Sequence, residues 1–311
     1  MSSLAHNCIL GIDVSKDFLD IFDGTNSVQI DNTNQSIKQF FKALDFDKTL
    51  SIEPTGKYHQ KIVYFAISAG LAVYLVDPYR VSRYREAIGS RVKTDYQDAR
   101  LLHRYLVAEI DNLVPYKPAP ESVQLLNELL RVRGKLSKEK SSIRLSLASV
   151  KSLTKVSKSI LSTIEKAIVT IDKQLEECIE KAGYDKDHKR CMDVPGIGPV
   201  VSTGMIAMFH RGKFRSSDAF IAFIGMDVRV RESGRYRGQR KLTKKGNPEI
   251  RRLLFNAARA GSRTKYWNGY YNSLRDRGLK STQATIAVAR KIARVAFALL
   301  RDKKEFISQR G

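Results

Sequence analysis

The sequence predicts an α/β domain in its first third and a mainly helical remainder, and three observations carry that expectation. Up to residue 52 short runs of alternating apolar residues dominate, and from residue 34 they interchange with runs of helical period. A stretch with three prolines, "VPYKPAPES" at 114–122, closes that third. Residues 122–182 then contain no proline and one glycine, with apolar positions three and four apart, which is a helical pattern.

Taken in order, "CILGIDVSK", "FLDIFDG" and "SVQIDNT" read as three strands of an antiparallel meander, parted by Lys/Asp and Gly-Thr-Asn turns. "NQSIKQFFKAL" sets Ile37, Phe40, Phe41 and Leu44 on one helical face, and "TLSIEPTG" is a strand stopped by Pro54 and Gly56. "YHQKIVYFAISAG" is a helix ending on Gly70, "LAVYLVDP" is a buried strand, and residues 79–106 are mostly helical. Three strands, helix, strand, helix, strand, helix is the order of the ribonuclease H-like α/β fold, expected here over residues 1–115.

Residues 116–185 are expected to form a helical arm. Leu125, Leu129, Val132, Leu136, Ile143, Leu147 and Val150 make one seam, and Ile160, Ile164, Ile168, Ile171 and Leu175 a second. Two helices of about 25 to 30 residues, broken near 151–159, would pair as a coiled-coil hairpin and serve as a dimerisation arm. Lysines and arginines on its outer faces could also touch nucleic acid. The last domain, 186–311, opens with "DVPGIGPVVSTGMIAMF", which resembles a helix-hairpin-helix turn: Gly196 and Gly198 allow a tight bend whose amides can hold a phosphate. "SSDAFIAFIG" is a short capped helix and "MDVRVRES" a strand; Asn247 and Pro248 start another helix, and a basic amphipathic helix ends the chain.

The net charge of +23 and pI near 9.9 point to a polyanionic partner, nucleic acid first. The charge is uneven. Residues 1–115 hold 13 Lys and Arg against 14 Asp and Glu, a net of −1, so the other 196 residues carry +24. A near-neutral module joined to a very basic remainder suits a catalytic unit delivered by nucleic-acid-binding units. Cys8, Cys178 and Cys191 form no CxxC pair and the five histidines lack ligand spacing, which argues against a zinc site or a disulfide framework. With neither a signal-peptide pattern nor 18 uncharged apolar residues in a row, a soluble, cytoplasmic protein is expected.

Four carboxylates stand out in the near-neutral third. Asp13 lies on the first strand, Glu53 ends the fourth, which the expected order places beside the first, and Asp95 and Asp98 are three apart on a helix. Gathered like charges repel, and a divalent cation would neutralise them. Hard oxygen ligands suit magnesium, and two such ions can hold the attacking and leaving oxygens of a phosphoryl displacement. Taken singly, Asp13 also suits a strand end and Asp95 an N-cap. Asp17, Asp20 and Asp31 fit solvated hairpin positions.

The most basic stretch is "VRESGRYRGQRKLTKKG", residues 230–246, with Ser233 inside it. Arg229, Arg231, Arg235, Arg237, Arg240, Lys241, Lys244 and Lys245 can clamp a phosphate backbone, and Tyr236 can stack on a base. Ser233 is either a turn residue before Gly234 or a nucleophile. With no histidine near it in sequence, the second role requires activation by metal at the distant acids.

"GIDVSKDFLDI", "IEPTGKYHQKIVYFAISAGLAVYLVDP", "RVKTDYQDARLLHRYL", "VPGIGPVVS" and "FIAFIGMDVRVRESGRYRGQRKLTKKGNPEIRRLLFNAARA" resemble, in this order, the motifs of the insertion sequence 110 family of DEDD transposases, which includes the Piv-type DNA invertases. The resemblance spans nearly the whole chain. It implies a RuvC-like first domain with its DEDD acids at Asp13, Glu53, Asp95 and Asp98, a coiled-coil arm, and a transposase domain whose nucleophile is Ser233. It further implies magnesium, with manganese as a substitute, double-stranded DNA as substrate, a bridge RNA as guide in the transposase branch, and a dimer or tetramer on the prokaryotic nucleoid, with Ser233 acting in cis or in trans. Pro54 follows the glutamate where the family commonly has alanine. A RuvC-like nuclease acting on branched DNA and a non-catalytic nucleic-acid-binding protein are the rival readings.

Overall fold

Alternating burial explains the first strands. In the computed structural model, which describes residues 8–44, 47–89, 95–229, 232–233, 236–237 and 241–307 (for 95, 232, 233, 236 and 237 the backbone alone), the chain divides into two compact units, 1–117 and 118–311. In the first unit β1 (Ile9–Val14), β2 (Phe18–Phe22) and β3 (Ser27–Asp31) form the meander, followed by α1 (Asn34–Lys42), β4 (Thr49–Ile52), α2 (Gln60–Ser68), β5 (Ala72–Leu75), α3 (Pro78–Ala87) and α4 (Asp95–Glu109). The sheet order is β3-β2-β1-β4-β5: the β1–β2 and β2–β3 pairs are antiparallel, and β1–β4 and β4–β5 parallel.

Helices cover both faces. Leu10, Ile12 and Val14 pack with Ile37 of α1 and Ile62, Val63 and Ala66 of α2 in one core. On the opposite face α4 lies on β1 without a side chain between them: a methyl group on Gly11 would stand 2.0 Å from the Ala99 carbonyl oxygen. The Ser51 hydroxyl donates to the Leu102 carbonyl at 2.9 Å, tying β4 to the same helix. Helix starts follow their caps, Thr33 accepting from Ser36 N and Asp77 from Tyr79 N with Pro78 at the first helical position.

The second unit begins with two 28-residue helices, α5 (Glu121–Ala148) and α6 (Thr154–Lys181). The break falls at residues 149–153 and includes a short 3-10 turn over Lys151–Leu153, so it is shorter than the Ser/Lys/Thr-rich composition of 151–159 suggests. The reason is that Thr154, Ser157 and Ser159 sit in the first turns of α6 rather than outside it. Arg133 chelates Asp172 and Lys140 pairs with Glu165 across the hairpin. Its two ends differ in burial: Leu126, Leu130, Ile171 and Leu175 at the base join the core of this unit, while Leu145, Val150, Val156 and Ile160 near the tip are exposed.

Around that core pack α7 (Asp185–Met192), α8 (Pro199–Phe209), α9 (Ser217–Phe223), α10 (Pro248–Gly261), α11 (Lys265–Asp276) and α12 (Ser281–Asp302). The expected strand over 226–233 is instead β6 (Val228–Arg229) and β7 (Glu232–Ser233), which pair with different partners: β6 with β9 (Lys241–Leu242), β7 with β8 (Tyr236–Arg237). Met226, Val228 and Val230 alternate with Asp227, Arg229 and Arg231, which is the pattern that predicts a strand, but it does not choose the partners, and among the described residues each ladder is two residues long. Among the described residues no helix is long and apolar enough to cross a membrane.

Candidate active site and nucleic-acid interface

Two acids of the first unit, Asp13 and Glu53, share one pole of the sheet. Gly11 and Ser51 face α4, and strand alternation turns the residues two further on, Asp13 and Glu53, to that same side. Ile12 and Ile52 are register partners in the parallel pair, so Asp13 and the Glu53 that follows β4 lie side by side. Ala99 and His103 of α4 sit over Gly11, and the first turn of the same helix carries Asp98 and the backbone of Asp95. Asp13, Glu53 and Asp98 are half-buried; the Asp95 side chain lies outside the described set.

Two further residues bear on these acids. Asp20, expected in a solvated hairpin, stands in β2 directly opposite Asp13 and is half-buried, accepting from Gln29 Nε2 at 2.9 Å. The meander's register, not composition, decides this. Arg85 of α3 holds Asp98 at 2.5 Å, with side chains 19% and 17% exposed. Nothing in the sequence pattern singled Arg85 out, because the contact bridges two helices.

Carboxylate oxygens are the donors a hard divalent cation takes, and a guanidinium is already drawn to one of them, Asp98. Among the described residues no three His, Cys, Asp or Glu side chains are gathered as a ready metal cluster. Replacing Arg85 with glutamine takes a cation away from a partly buried carboxylate. The first unit is expected to lose about 1 kcal/mol of stability, measured as an earlier thermal unfolding transition by near-ultraviolet circular dichroism.

The basic stretch lies in the second unit. Arg229, Lys241 and Lys244 are exposed around the β6–β9 ladder, and Lys245 follows them on the surface. Ser233 ends β7, with its backbone in register with Tyr236, and Glu232 is in register with Arg237. Arg231, Arg235 and Arg240 lie outside the described residues, as do the side chains of Ser233, Tyr236 and Arg237. The root of the ribbon is fixed. Gly246 stands at φ +152°, where a methyl group would meet the Phe223 carbonyl oxygen at 2.5 Å, and Arg251 Nη1 donates to the Gly246 carbonyl at 2.8 Å. Thr243 donates to the Asp227 carboxylate and pairs with its backbone at 3.0 Å.

Gly196 and Gly198 divide the roles expected of them jointly. Gly196 is left-handed, φ +96°, and lets the turn press on α10, where a methyl group would stand 2.5 Å from the Ala257 carbonyl oxygen. Gly198 caps α8 in open space, and the carbonyl of Pro195, just before Gly196, accepts from Trp267 Nε1 at 2.8 Å. The Ser202 hydroxyl, 2.9 Å from both His188 Nδ1 and the His188 carbonyl, ties α7 to α8. Burial pushes the Cys191 thiol up to about 12 and the His188 imidazole down, so neither is charged at neutral pH.

Residues 10–156 match a DEDD transposase family of the IS110 type, and residues 188–272 match the family described as transposase IS116/IS110/IS902. The pilin gene-inverting protein of Moraxella bovis is 28% identical over 83% of this chain and 81% of its own length. Its counterpart in Moraxella lacunata is likewise 28% identical, over 83% and 81%. An insertion element IS116 protein of Streptomyces clavuligerus is 30% identical over 36% of this chain and 29% of its own.

Proposed function

Because the chain belongs to the IS110 family of transposases, and is thus a DNA transposase or recombinase, we propose that it cuts and rejoins DNA through a phosphoserine intermediate at Ser233, with a divalent metal held by Asp13, Glu53, Asp95 and Asp98. The observation that supports this reading most is the register that sets Asp13 of β1 beside Glu53 at the end of β4, with α4, the helix that carries Asp95 and Asp98, packed on β1 at Gly11. The sheet order β3-β2-β1-β4-β5 supports a ribonuclease H-like, RuvC-like identity for the first unit.

In this reading Asp13, Glu53, Asp95 and Asp98 would hold magnesium, two ions per site, which would supply a Lewis acid that lowers the pKa of a hydroxyl and offsets negative charge on phosphate oxygens. Ser233 Oγ attacks a DNA phosphorus. The Oγ–P bond forms, the P–O bond to one deoxyribose breaks, and the serine proton passes by way of solvent to the leaving hydroxyl. One phosphodiester is exchanged for another, so the hydroxyl of a second strand can displace serine by the reverse step with no external energy source. Arg229, Lys241, Lys244 and Lys245 hold the DNA backbone, together with Arg231, Arg235, Arg237 and Arg240, and Tyr236 stacks on a base. The open amides after Gly198 take a further phosphate. The α5–α6 hairpin pairs protomers as a coiled coil in a dimer or tetramer, and a bridge RNA selects the DNA sites.

The test is a plasmid recombination assay with the purified protein and the RNA that copurifies with it. Recombinants are expected with magnesium or manganese and are lost with a chelator. Asp98→Asn is expected to lower their yield by roughly 100-fold or more while duplex binding persists. Full yield in the chelator would sink the metal assignment.

A further inference from the structure

The root of the ribbon holds an arginine that the reading above does not use. Arg290 and Arg294 are one turn apart on α12, and both are half-buried. Arg294 Nη2 is paired with Asp218 of α9 at 2.6 Å. Arg290 Nε is shut off from solvent with no hydrogen-bond partner among the described residues. The groups that face Arg290 come from four elements: Arg294 on its own helix, Asp218 of α9, Asp227 just before β6, and Tyr270 of α11. Burial first and Arg294 second push its guanidinium below the ordinary range, against the pull of Asp218, Asp227 and Tyr270.

Both nearby carboxylates are engaged elsewhere, Asp218 by Arg294 and Asp227 by Thr243. A guanidinium carries five donors in a planar fork, and burying it is unfavourable unless acceptors meet them. Asp227, one of the acids that face it, directly precedes β6 and is held by Thr243 just after β9, which sets Arg290 near the root of a ladder whose Arg229 and Lys241 are exposed. A phosphodiester offers the matching pair of oxygens.

We propose that Arg290, with Arg294 beside it, is a phosphodiester-binding subsite at the root of the ribbon that carries Ser233, taking one backbone phosphate of the bound nucleic acid. The proposal rests on the reading of this unit as nucleic-acid-binding. Arg290 is in this view a positioning residue, registering the strand relative to the ribbon rather than acting on the reacting atoms.

Labelled duplex DNA and a labelled RNA hairpin would be titrated with the full chain, wild type, Arg290→Gln and Arg290→Lys, between roughly 50 and 200 mM salt. For a folded Arg290→Gln the expected result is a Kd raised roughly 5-fold or more for DNA, RNA or both, and a salt slope reduced by about 1, with lysine recovering part of each. Unchanged affinity and slope for both nucleic acids would overturn the subsite. Should Arg290→Gln fail to fold, phenylglyoxal labelling of the wild-type chain decides: an Arg290 adduct suppressed by either nucleic acid supports the proposal. An adduct formed equally with and without them, or not formed at all, refutes it. A wild-type chain that binds neither nucleic acid would overturn the functional reading itself, whereas wild-type binding with an indifferent Arg290→Gln overturns only the subsite.

Discussion

Gly11→Ala is expected to unfold the first unit at temperatures where the wild type is intact. The added methyl group would stand 2.0 Å from the Ala99 carbonyl oxygen, 2.5 Å from the His103 amide nitrogen and 2.9 Å from the His103 Cβ. Two of those atoms are backbone of α4, so no side-chain rotation relieves the clash; the helix must lift off β1. Such overpacking costs about 3 kcal/mol or more, which for a unit of this size lowers Tm by roughly 12 °C or more. Hydrogen exchange would localise the loss to residues 8–117, the second unit remaining protected. A wild-type transition in this variant would mean that α4 does not lie against β1 as described. Because α4 carries Asp95 and Asp98, recombination is expected to fail in step with the helix.

Ser233→Ala is expected to abolish covalent protein–DNA adducts and strand exchange while leaving duplex affinity within about twofold, since one small hydroxyl contributes little to a contact built on phosphate charge. The measurement is denaturing gel electrophoresis of protein trapped on a nicked, labelled duplex. Wild type should give a slow band sensitive to protease, and the alanine variant none. Adducts that persist in Ser233→Ala would remove the serine from the mechanism. Free ends without any adduct, in wild type and variant alike, would favour hydrolysis by activated water, the chemistry of a RuvC-like nuclease.

The legible parts of the fold are those governed by short-range periodicity. Strands β1 to β3, the N-cap Asn247 with Pro248 at the start of α10 and the two long helices follow from residue spacing and cap chemistry. Over 226–233 the alternation of Met226, Val228 and Val230 with charged residues made a strand legible but not its partners, since β6 pairs with β9 and β7 with β8. Asp20 was misplaced for a related reason: its position follows from the register that sets it opposite Asp13, and register depends on the turn as well as on the strand's own pattern.

Residue types at their spacings determined by themselves that the chain pairs a near-neutral acidic third with a very basic remainder, and which carboxylates were worth following. Charge and periodicity are sums over neighbours along the chain, so they survive without coordinates. Only the tertiary structure decided that Arg85 grips Asp98, that Gly196 serves α10 while Gly198 stays open, and that the Nε of half-buried Arg290 is shut off from solvent. The groups brought together are far apart in the chain, Arg85 and Asp98 by 13 residues, Gly196 and Ala257 by 61, Arg290 and Asp218 by 72. Burial and partnership across such separations are set by packing, which no local spacing encodes.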